Sequence, residues 1–266
     1  MKVLGIIGIS GYLGSKLINF YKGTINFTSY IVSIVTSFKS LRYMKFRSIY
    51  AVIINQTRFT GIHALPFVTF IALLIGATVI IQAMTALPKF GVEGFLGNLM
   101  VVVVGRELGP LVTALIVITR SGSAITAEIA TQQQSGEIFA LEMMGIDTKL
   151  YIVFPRIMAS ILAIFSLIVI FDLVAFAGGF AISQLFVYLP MDVYYQSLID
   201  AFSIEDLIAT IIKSLIYGIL VPIICCYYGF MPKSKFEVPI FVSRAVIRTF
   251  AIIFVINMIV SVMFYL

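Results

Sequence analysis

The chain contains a long run without a charged residue, ALPFVTFIALLIGATVIIQAMTALP at 64–88, and this run constrains the fold more than any other feature. In lipid, every backbone N–H and C=O must find its hydrogen-bond partner inside the segment, which a helix provides. About 20 apolar residues in a helix cross a hydrocarbon core of roughly 30 Å. The segment is therefore predicted to span a membrane.

The rest of the chain has the same character. Of its 266 residues, 61% are hydrophobic and 11% are charged, and the mean hydropathy of +1.11 is far above that of a soluble domain. We predict an all-α integral membrane protein, with about five transmembrane helices in a single domain over 1–266. Glycines at 178–179 indicate either a break or a close helix contact. The predicted spans are 64–88, 95–119, 157–187, 207–230 and 250–266.

A segment of different character, 12–60, precedes the first span. Its apolar residues recur at intervals of three and four among Ser, Thr, Asn and Lys, and it ends in the basic stretch RYMKFRSIYAVIINQTRF at 42–59. Such a pattern is typical of a helix that lies in the membrane interface. We predict an N-terminal interfacial amphipathic helix followed by an elbow helix. A sixth span is the alternative.

The distribution of charge predicts the orientation. Lys and Arg precede the first span and follow the second and fourth, whereas the loop at 188–206 is acidic and holds neither. Because cytoplasmic loops carry the basic excess, the N-terminus is expected in the cytoplasm and the C-terminus outside. The net charge of +6 is dispersed between apolar blocks, which does not favour nucleic-acid binding. The acidic loop is either a docking surface for an external partner or a solvated loop.

The most polar part of the chain lies between the second and third spans. At helical spacing, Ile138, Leu141 and Met144 share one side, with Glu137 and Glu142 towards the flanks. Gly145 is placed to end the helix. We predict a short cytoplasmic helix over 131–145, which either docks a partner protein or packs only on its own chain.

Two adjacent charges, Arg106 and Glu107, interrupt the second span. On insertion scales each costs about 2.5 to 3.5 kcal/mol in mid-span, so the pair must face protein or water. Adjacent helical residues diverge by roughly 100°, and each charge is therefore expected to find its partner on another helix. The pair either locks helix packing or borders a cavity and relays its opening.

Two further charges, Asp172 and Lys213, lie inside predicted spans. Lys213 is only about two turns into its helix and could snorkel outward. His63 is interpreted as an interface residue, and no group of His, Cys and carboxylates shows metal-ligand spacing. The adjacent cysteines at 225–226 fit neither a disulfide framework nor a CxxC site.

The stretch RELGPLVTALIVITRSGSAITAEIATQQQSGEIFALEMMGIDTKLYIVFPR at 106–156 resembles the signature region of the MlaE-type permeases, the membrane subunits of ABC transporters that work with MCE proteins. The chain departs from that family's pattern at Thr119, at QQQSGEI (132–138), at Thr148 and at Asn257. The matching positions, in the family's order, are Arg106 to Pro110, Arg120, Ala127-Glu128, Glu137, Ala140 to Glu142, Met144-Gly145, Asp147 and Pro155-Arg156.

The resemblance implies a homodimeric permease in a bacterial inner membrane. Two copies of an ABC ATPase, which bind ATP and magnesium, would dock on the cytoplasmic helix, so this chain would hold no cofactor and catalyse no reaction. An MCE-domain protein would sit on the external face, in some relatives with a STAS-like subunit. The expected cargo is a lipid, for which phospholipid is the leading candidate.

The resemblance also implies site residues in this sequence. A lipid pocket would be lined by Val79, Gln82, Ala86, Leu87, Phe90, Arg106 and Glu107. ATPase coupling would use Glu128, Glu137, Ile138, Leu141, Glu142, Met144 and Gly145, with Asp172 and Lys213 as further intramembrane polar residues.

Other functions stay open from the residues alone. The intramembrane charges could serve a proton-coupled carrier or a membrane enzyme, and the chain could be a structural membrane anchor. The single His outside the polar centre speaks against an enzyme, and the lack of a clear internal repeat speaks against a secondary carrier.

Overall fold

The computed structural model describes residues 23, 25–37, 46–86, 96–185 and 190–265. Within these ranges the chain forms helices and no strand. In chain order the helices are α1 (Ile25–Ser37), α2 (Phe46–Thr60), α3 (Leu65–Ala86), α4 (Leu96–Gln134), α5 (Glu137–Met143), α6 (Thr148–Ser183), α7 (Met191–Ala201), α8 (Ile204–Gly229) and α9 (Val238–Tyr265).

Among the described residues, 5 helices are long and apolar enough to cross a membrane. They are α3, α4, α6, α8 and α9. Helix α3 forms one helical stretch with most of α2, over Tyr50–Ala86. The predicted all-α class and the predicted number of spans are confirmed. Short connections between the helices give the bundle two ends. The end that contains α5, Thr148 and Gly229 is called the α5 end, and the end that contains α7 and Tyr265 is called the α7 end.

Three long helices extend beyond the apolar runs that predicted them. The second span continues past 119 to Gln134, the third begins at Thr148 instead of 157, and the last begins at Val238 instead of 250. An apolar run marks only the part of a helix that lipid surrounds, whereas the backbone continues until a cap stops it. For α6 that cap is Asp147, whose Oδ1 accepts hydrogen bonds from the N–H groups of Lys149 (3.1 Å) and Leu150 (3.3 Å).

The structure corrects the predicted single helix over 131–145. The chain leaves α4 after Gln134, and Gly136 takes a left-handed conformation (φ 79°) before α5 begins. A second left-handed glycine, Gly145 (φ 75°), follows the end of α5. Because glycine adopts positive φ without a Cβ clash, these two residues set both limits of the short helix.

Helix α1 packs at the α5 end of the bundle. The ring of Tyr30 contacts Tyr227 (5.2 Å) and Phe230 (6.4 Å) near the end of α8, and Lys149 Nζ donates to Ser33 Oγ (3.1 Å). At about 20 Å, this helix is shorter than a membrane span. The part of the predicted segment before residue 23 lies outside the described residues.

Helices α3 and α6 approach each other through small residues. A Cβ on Gly76 would overlap the backbone of Ala175, and a Cβ on Gly179 would lie 2.6 Å from the Gly76 carbonyl carbon. Small residues allow this approach between membrane helices, where close packing stabilises association. Because α6 continues unbroken to Ser183, the glycine pair at 178–179 marks a close contact and not a break.

This contact yields a paired test. We expect Gly179→Ala to lower the free energy of unfolding by about 1 to 3 kcal/mol, since its Cβ meets backbone that cannot move aside. The neighbouring Gly178→Ala is the control, because its Cβ would meet only side chains, those of Leu73 at 3.4 Å and Val174 at 3.7 Å. Unfolding midpoints in detergent measure both, and equal midpoints for the two variants would contradict the prediction.

Candidate functional site

The charges of the second span lie in a part of α4 that is not a regular α-helix. Residues Met100–Leu108 are π-helical, and the N–H of Gly109 donates to the carbonyl of Val104, five residues back. Such segments occur frequently at functional sites because they redirect side chains. Pro110, which follows, has no N–H for the carbonyl of Arg106 four residues earlier. Lys213 Nζ on α8 donates to that carbonyl instead, at 2.6 Å.

Arg106 pairs with the first turn of α8. Its Nε lies 2.7 Å from Asp206 Oδ1, and its Nη2 donates to Asp206 Oδ2 at 3.3 Å. The same carboxylate accepts the N–H of Ser203 (3.0 Å), while Ser203 Oγ accepts the N–H of Asp206, which forms a capping box. The Arg106 guanidinium also lies 4.4 Å from the ring centre of Tyr265. One carboxylate therefore both starts α8 and fixes the arginine.

Glu107 joins α4 to α8 and α9. Its Oε1 lies 3.4 Å from Lys213 Nζ and accepts a hydrogen bond from Ser261 Oγ, and its Oε2 accepts one from Asn257 Nδ2 at 2.6 Å. Lys213 Nζ donates to Ser261 Oγ (2.9 Å), and the hydroxyl of Tyr217 donates to Asn257 Oδ1 (2.7 Å). As expected from their divergence on the helix, Arg106 and Glu107 have different partners, and both partners lie on another helix.

The outward snorkelling considered for Lys213 does not occur. Its side chain is 1% exposed, and its amine is surrounded by the Arg106 carbonyl, Glu107 and Ser261. A buried ammonium is stable only with such pairing, because its desolvation is costly. The two turns of α8 before Lys213 run along α4, and the Lys213 side chain does not extend along them to the surface.

A pocket of about 240 Å³ opens beside this network. It has a charged side formed by Arg106 and Glu107 and an apolar side formed by Val102 and Val262. A volume below the usual 300 to 1,000 Å³ of small-molecule sites accommodates a headgroup or part of a chain, not a whole lipid. The lining residues are Val102, Arg106, Glu107, Ser261, Val262 and Tyr265.

The α3 residues of the predicted lipid pocket do not line this one. Val79 is half-buried, and Gln82 and Ala86 are exposed near the end of α3, while Leu87 and Phe90 lie outside the described residues. Within one chain, the structure thus brings Arg106 and Glu107 to α9 and not to α3. Six of the exposed residues of α3 follow helical spacing along one face: Phe67, Phe70, Leu74, Thr78, Gln82 and Thr85.

Asp172 lies apart from the network. A Cβ on Gly109 would overlap Asp172 Oδ1, so α4 and α6 are in close contact at this point. That oxygen is buried without a hydrogen-bond partner among the described residues. Asp172 therefore faces the turn of α4 that follows the Arg106–Glu107 pair.

The α5 end presents a second candidate site. Phe139 (66%), Met143 (74%) and Met144 (74%) are exposed, whereas Ile138 is buried and Leu141 is half-buried. Docking through the side that Ile138, Leu141 and Met144 share would need all three to be exposed. This expectation is wrong for Ile138, which faces the bundle. Spacing identifies a helix face but does not tell which side the rest of the protein covers.

The predicted coupling carboxylates have internal partners. Glu128 Oε2 lies 2.9 Å from Arg156 Nη2 and joins α4 to α6. Glu137 accepts from Ser135 Oγ (3.0 Å), and Glu142 accepts from Thr148 Oγ1 (3.1 Å). These contacts fix the position of α5 relative to α4 and α6.

Several residues of the two sites were not singled out from the sequence. Asp206 falls at the end of the predicted acidic loop. Ser203, three residues before it, is the signal that indicates a capping box at the start of a helix. On α9, Asn257 and Ser261 are four residues apart and share a face. The residues missed are Val102, Asp206, Tyr217, Ser261, Val262 and Tyr265 in the network and pocket, and Phe139 on α5.

Five apolar helices, a charged pocket between α4 and α9 and an exposed apolar helix at one end define a polytopic membrane protein. A family model described as Permease MlaE matches residues 53–263. The chain belongs to the MlaE permease family, which confirms the resemblance seen in its sequence.

Relatives come from several lineages. A protein of Rickettsia felis named as a probable ABC transporter permease protein is 28% identical over 98% of this chain and 99% of its own length. The intermembrane phospholipid transport system permease protein MlaE of Haemophilus influenzae is 28% identical over 76% of this chain and 77% of its own. The chloroplastic protein TRIGALACTOSYLDIACYLGLYCEROL 1 of Arabidopsis thaliana is 27% identical over 74% of this chain and 57% of its own.

The Lys213–Glu107 pair, in which Lys213 is buried and Glu107 is 36% exposed, can be tested by a double-mutant cycle. Lys213→Met should lower the free energy of unfolding by about 1 to 3 kcal/mol, because it leaves Glu107 and the Arg106 carbonyl without the amine. Glu107→Gln combined with Lys213→Met should cost at least about 1 kcal/mol less than the sum of the single changes. Lys235→Met, at an exposed position, is the control. Additive effects in detergent unfolding would show that the two charges do not interact.

Proposed function

We propose that this chain is the non-catalytic, membrane-spanning subunit of an ABC transporter that moves lipids, specifically phospholipids, between the inner membrane and an MCE protein assembly. The observation that carries the proposal is the pocket at Arg106 and Glu107, which combines charged and apolar walls between α4 and α9. Membership of the MlaE permease family supports it.

The chemistry of the pocket suits an amphiphile. The Arg106 guanidinium keeps its Nη1 donors for a phosphate group, since its Nε and Nη2 face Asp206, and Glu107 can accept from headgroup donors. Val102 and Val262 supply an apolar wall for an acyl chain. A sugar or an ion would need more polar groups to replace its hydration.

Two copies of the chain would complete the site. We infer that the exposed face of α3 meets its counterpart, since Thr78 and Gln82 on that face are poor partners for lipid tails. Such a homodimer would bring Val79, Gln82 and Ala86 of α3, with Leu87 and Phe90 after it, to a shared lipid cavity.

ATP and magnesium belong to two copies of a partner ATPase. Phe139, Met143 and Met144 form an exposed apolar surface that a groove on that ATPase would cover. Helix α4 is continuous from Leu96 to Gln134, so movement of α5 reaches the pocket along one helix. Arg106 and Gln134 lie on that helix, roughly 40 Å apart at 1.5 Å per residue.

The orientation follows from charge. Lys149, Lys233 and Lys235 lie at the α5 end, whereas Asp192 and Asp200 lie on α7. The basic excess puts the α5 end in the cytoplasm. The N-terminus would then be cytoplasmic and the C-terminus external, with the MCE assembly near α7 and any STAS-like subunit on the ATPase side.

Blocking the pocket tests the transport role. Val262→Trp should lower ATP-driven phospholipid transfer at least about tenfold, because the indole fills a space smaller than a usual ligand site. Val255→Trp, on the same helix and 60% exposed but outside the pocket, is the matched control. The measurement is transfer of labelled phospholipid in liposomes that contain the chain and its partners, with and without ATP. Transfer driven by a proton gradient without ATP, or no transfer by the wild type, would refute the proposal.

The α5 surface is tested separately. Met143→Ser combined with Met144→Ser should weaken ATPase binding at least about tenfold, since both side chains lose apolar contact area. Phe236→Ser, at a phenylalanine that is 91% exposed at the same end, should have no such effect. Co-purification of the ATPase with each variant gives the comparison. Undiminished binding by the double variant would rule out this surface as the contact.

A further inference from the structure

We propose that Arg120, with Arg58 and Phe59, binds the anionic headgroup of a phospholipid in the leaflet at the α5 end. This site is distinct from the pocket at Arg106. Arg120 and Arg106 lie about 20 Å apart along α4, and the two sites share no residue.

Arg120 has donors without an acceptor. It lies in a second π-helical segment of α4, Ile118–Gly122, and its guanidinium carbon lies 5.9 Å from the ring centre of Phe59. Its Nη1 is buried and has no hydrogen-bond partner among the described residues. Because an unpaired buried donor is costly, the arrangement is complete only when an acceptor binds beside Phe59.

The carboxylates at this end have other partners. Glu128 pairs with Arg156, Glu137 and Glu142 accept from hydroxyl groups, Asp147 caps α6 and Glu237 accepts the N–H of Lys233. The sequence contains no Asp or Glu before Glu93, so the N-terminal residues outside the described ranges cannot supply a carboxylate either. An anion from another molecule would supply the acceptor that the described carboxylates do not provide.

The level of Arg120 in the bundle identifies that molecule. Phe59 and His63, whose rings are 6.2 Å apart, immediately precede the apolar helix α3. A helix that begins at Leu65 and crosses the hydrocarbon core puts these rings at the headgroup layer. Exposed Ile62 (56%) and Phe67 (54%) continue the surface towards the acyl chains. A lipid can occupy both parts of this surface at once.

The charge of the site selects the headgroup. Arg58 lies in the last turn of α2 with an exposed side chain, which adds a second cation at this level of the bundle. An arginine fork binds phosphate oxygens in pairs. Since no described ion pair brings a carboxylate to Arg120, a headgroup ammonium would find no counter-ion there. A net negative phospholipid such as phosphatidylglycerol fits better than phosphatidylcholine.

The experiment is native mass spectrometry of the chain purified with its partner subunits and supplied with phosphatidylglycerol, phosphatidylcholine or inorganic phosphate. All variants carry Val262→Trp, so that lipid in the other pocket does not contribute. Arg120→Gln should retain roughly tenfold less phosphatidylglycerol at equal concentration, as expected for loss of a charge-assisted bidentate contact. Arg244→Gln is the matched control, because this exposed arginine also lies over a phenylalanine, with its guanidinium 5.1 Å from the ring of Phe241.

Three results would overturn the proposal. They are equal retention by Arg120→Gln and the control, equal retention of the two lipids, and displacement of phosphatidylglycerol by inorganic phosphate, which would indicate a soluble anion. If Arg120→Gln fails to fold, retention of phosphatidylglycerol is measured at increasing salt for the chain that carries only Val262→Trp. Retention that does not fall with salt excludes an ionic site. Failure of ATP-driven transport with retention intact would refute the proposed function and leave this site standing.

Discussion

The packing of three helices depends on the buried amine of Lys213. Because Pro110 cannot donate to the Arg106 carbonyl, α4 has an unused acceptor inside the membrane, and the amine on α8 occupies it. The same amine faces Glu107, which in turn holds Asn257 and Ser261 of α9. A proline that would be costly in an isolated helix thus becomes the point where α4, α8 and α9 meet. The position of the pocket follows from this junction.

The same junction explains how α4 can transmit movement. A π-helical segment on each side of the regular stretch Gly109–Val117 leaves places where the backbone is not fixed by the usual ladder of hydrogen bonds. At the first segment, Lys213 donates to the carbonyl of Arg106. After the second segment, Glu128 pairs with Arg156 of α6. A displacement of α5 would therefore act on a helix that is held by Lys213 of α8 and by Arg156 of α6. In the proposed transporter, this couples ATPase movement to the pocket.

The sequence predicted what depends on local pattern and missed what depends on tertiary contacts. Apolar runs gave the number of spans, and the divergence of neighbouring helical residues showed that Arg106 and Glu107 need separate partners. Sequence could not identify Asp206 as one of those partners, because a contact across 100 positions is fixed by how α4 and α8 pack. It also could not orient α5, since the spacing of Ile138 and Leu141 is the same whether their face is buried or exposed. Helix ends outside the membrane were missed because no apolar run marks them.

The two cationic regions of the bundle differ in how their charge is balanced. Near the pocket, Arg106 and Lys213 are matched by Asp206 and Glu107, so the site holds no net formal charge when empty. A headgroup that binds there must compete with contacts the protein already makes, which keeps binding weak and release possible. Nη1 of Arg120 has no hydrogen-bond partner among the described residues, so an anion that reaches it displaces no such contact. The first arrangement suits a site that must discharge its cargo in every cycle, and the second suits a site that holds its lipid through the cycle.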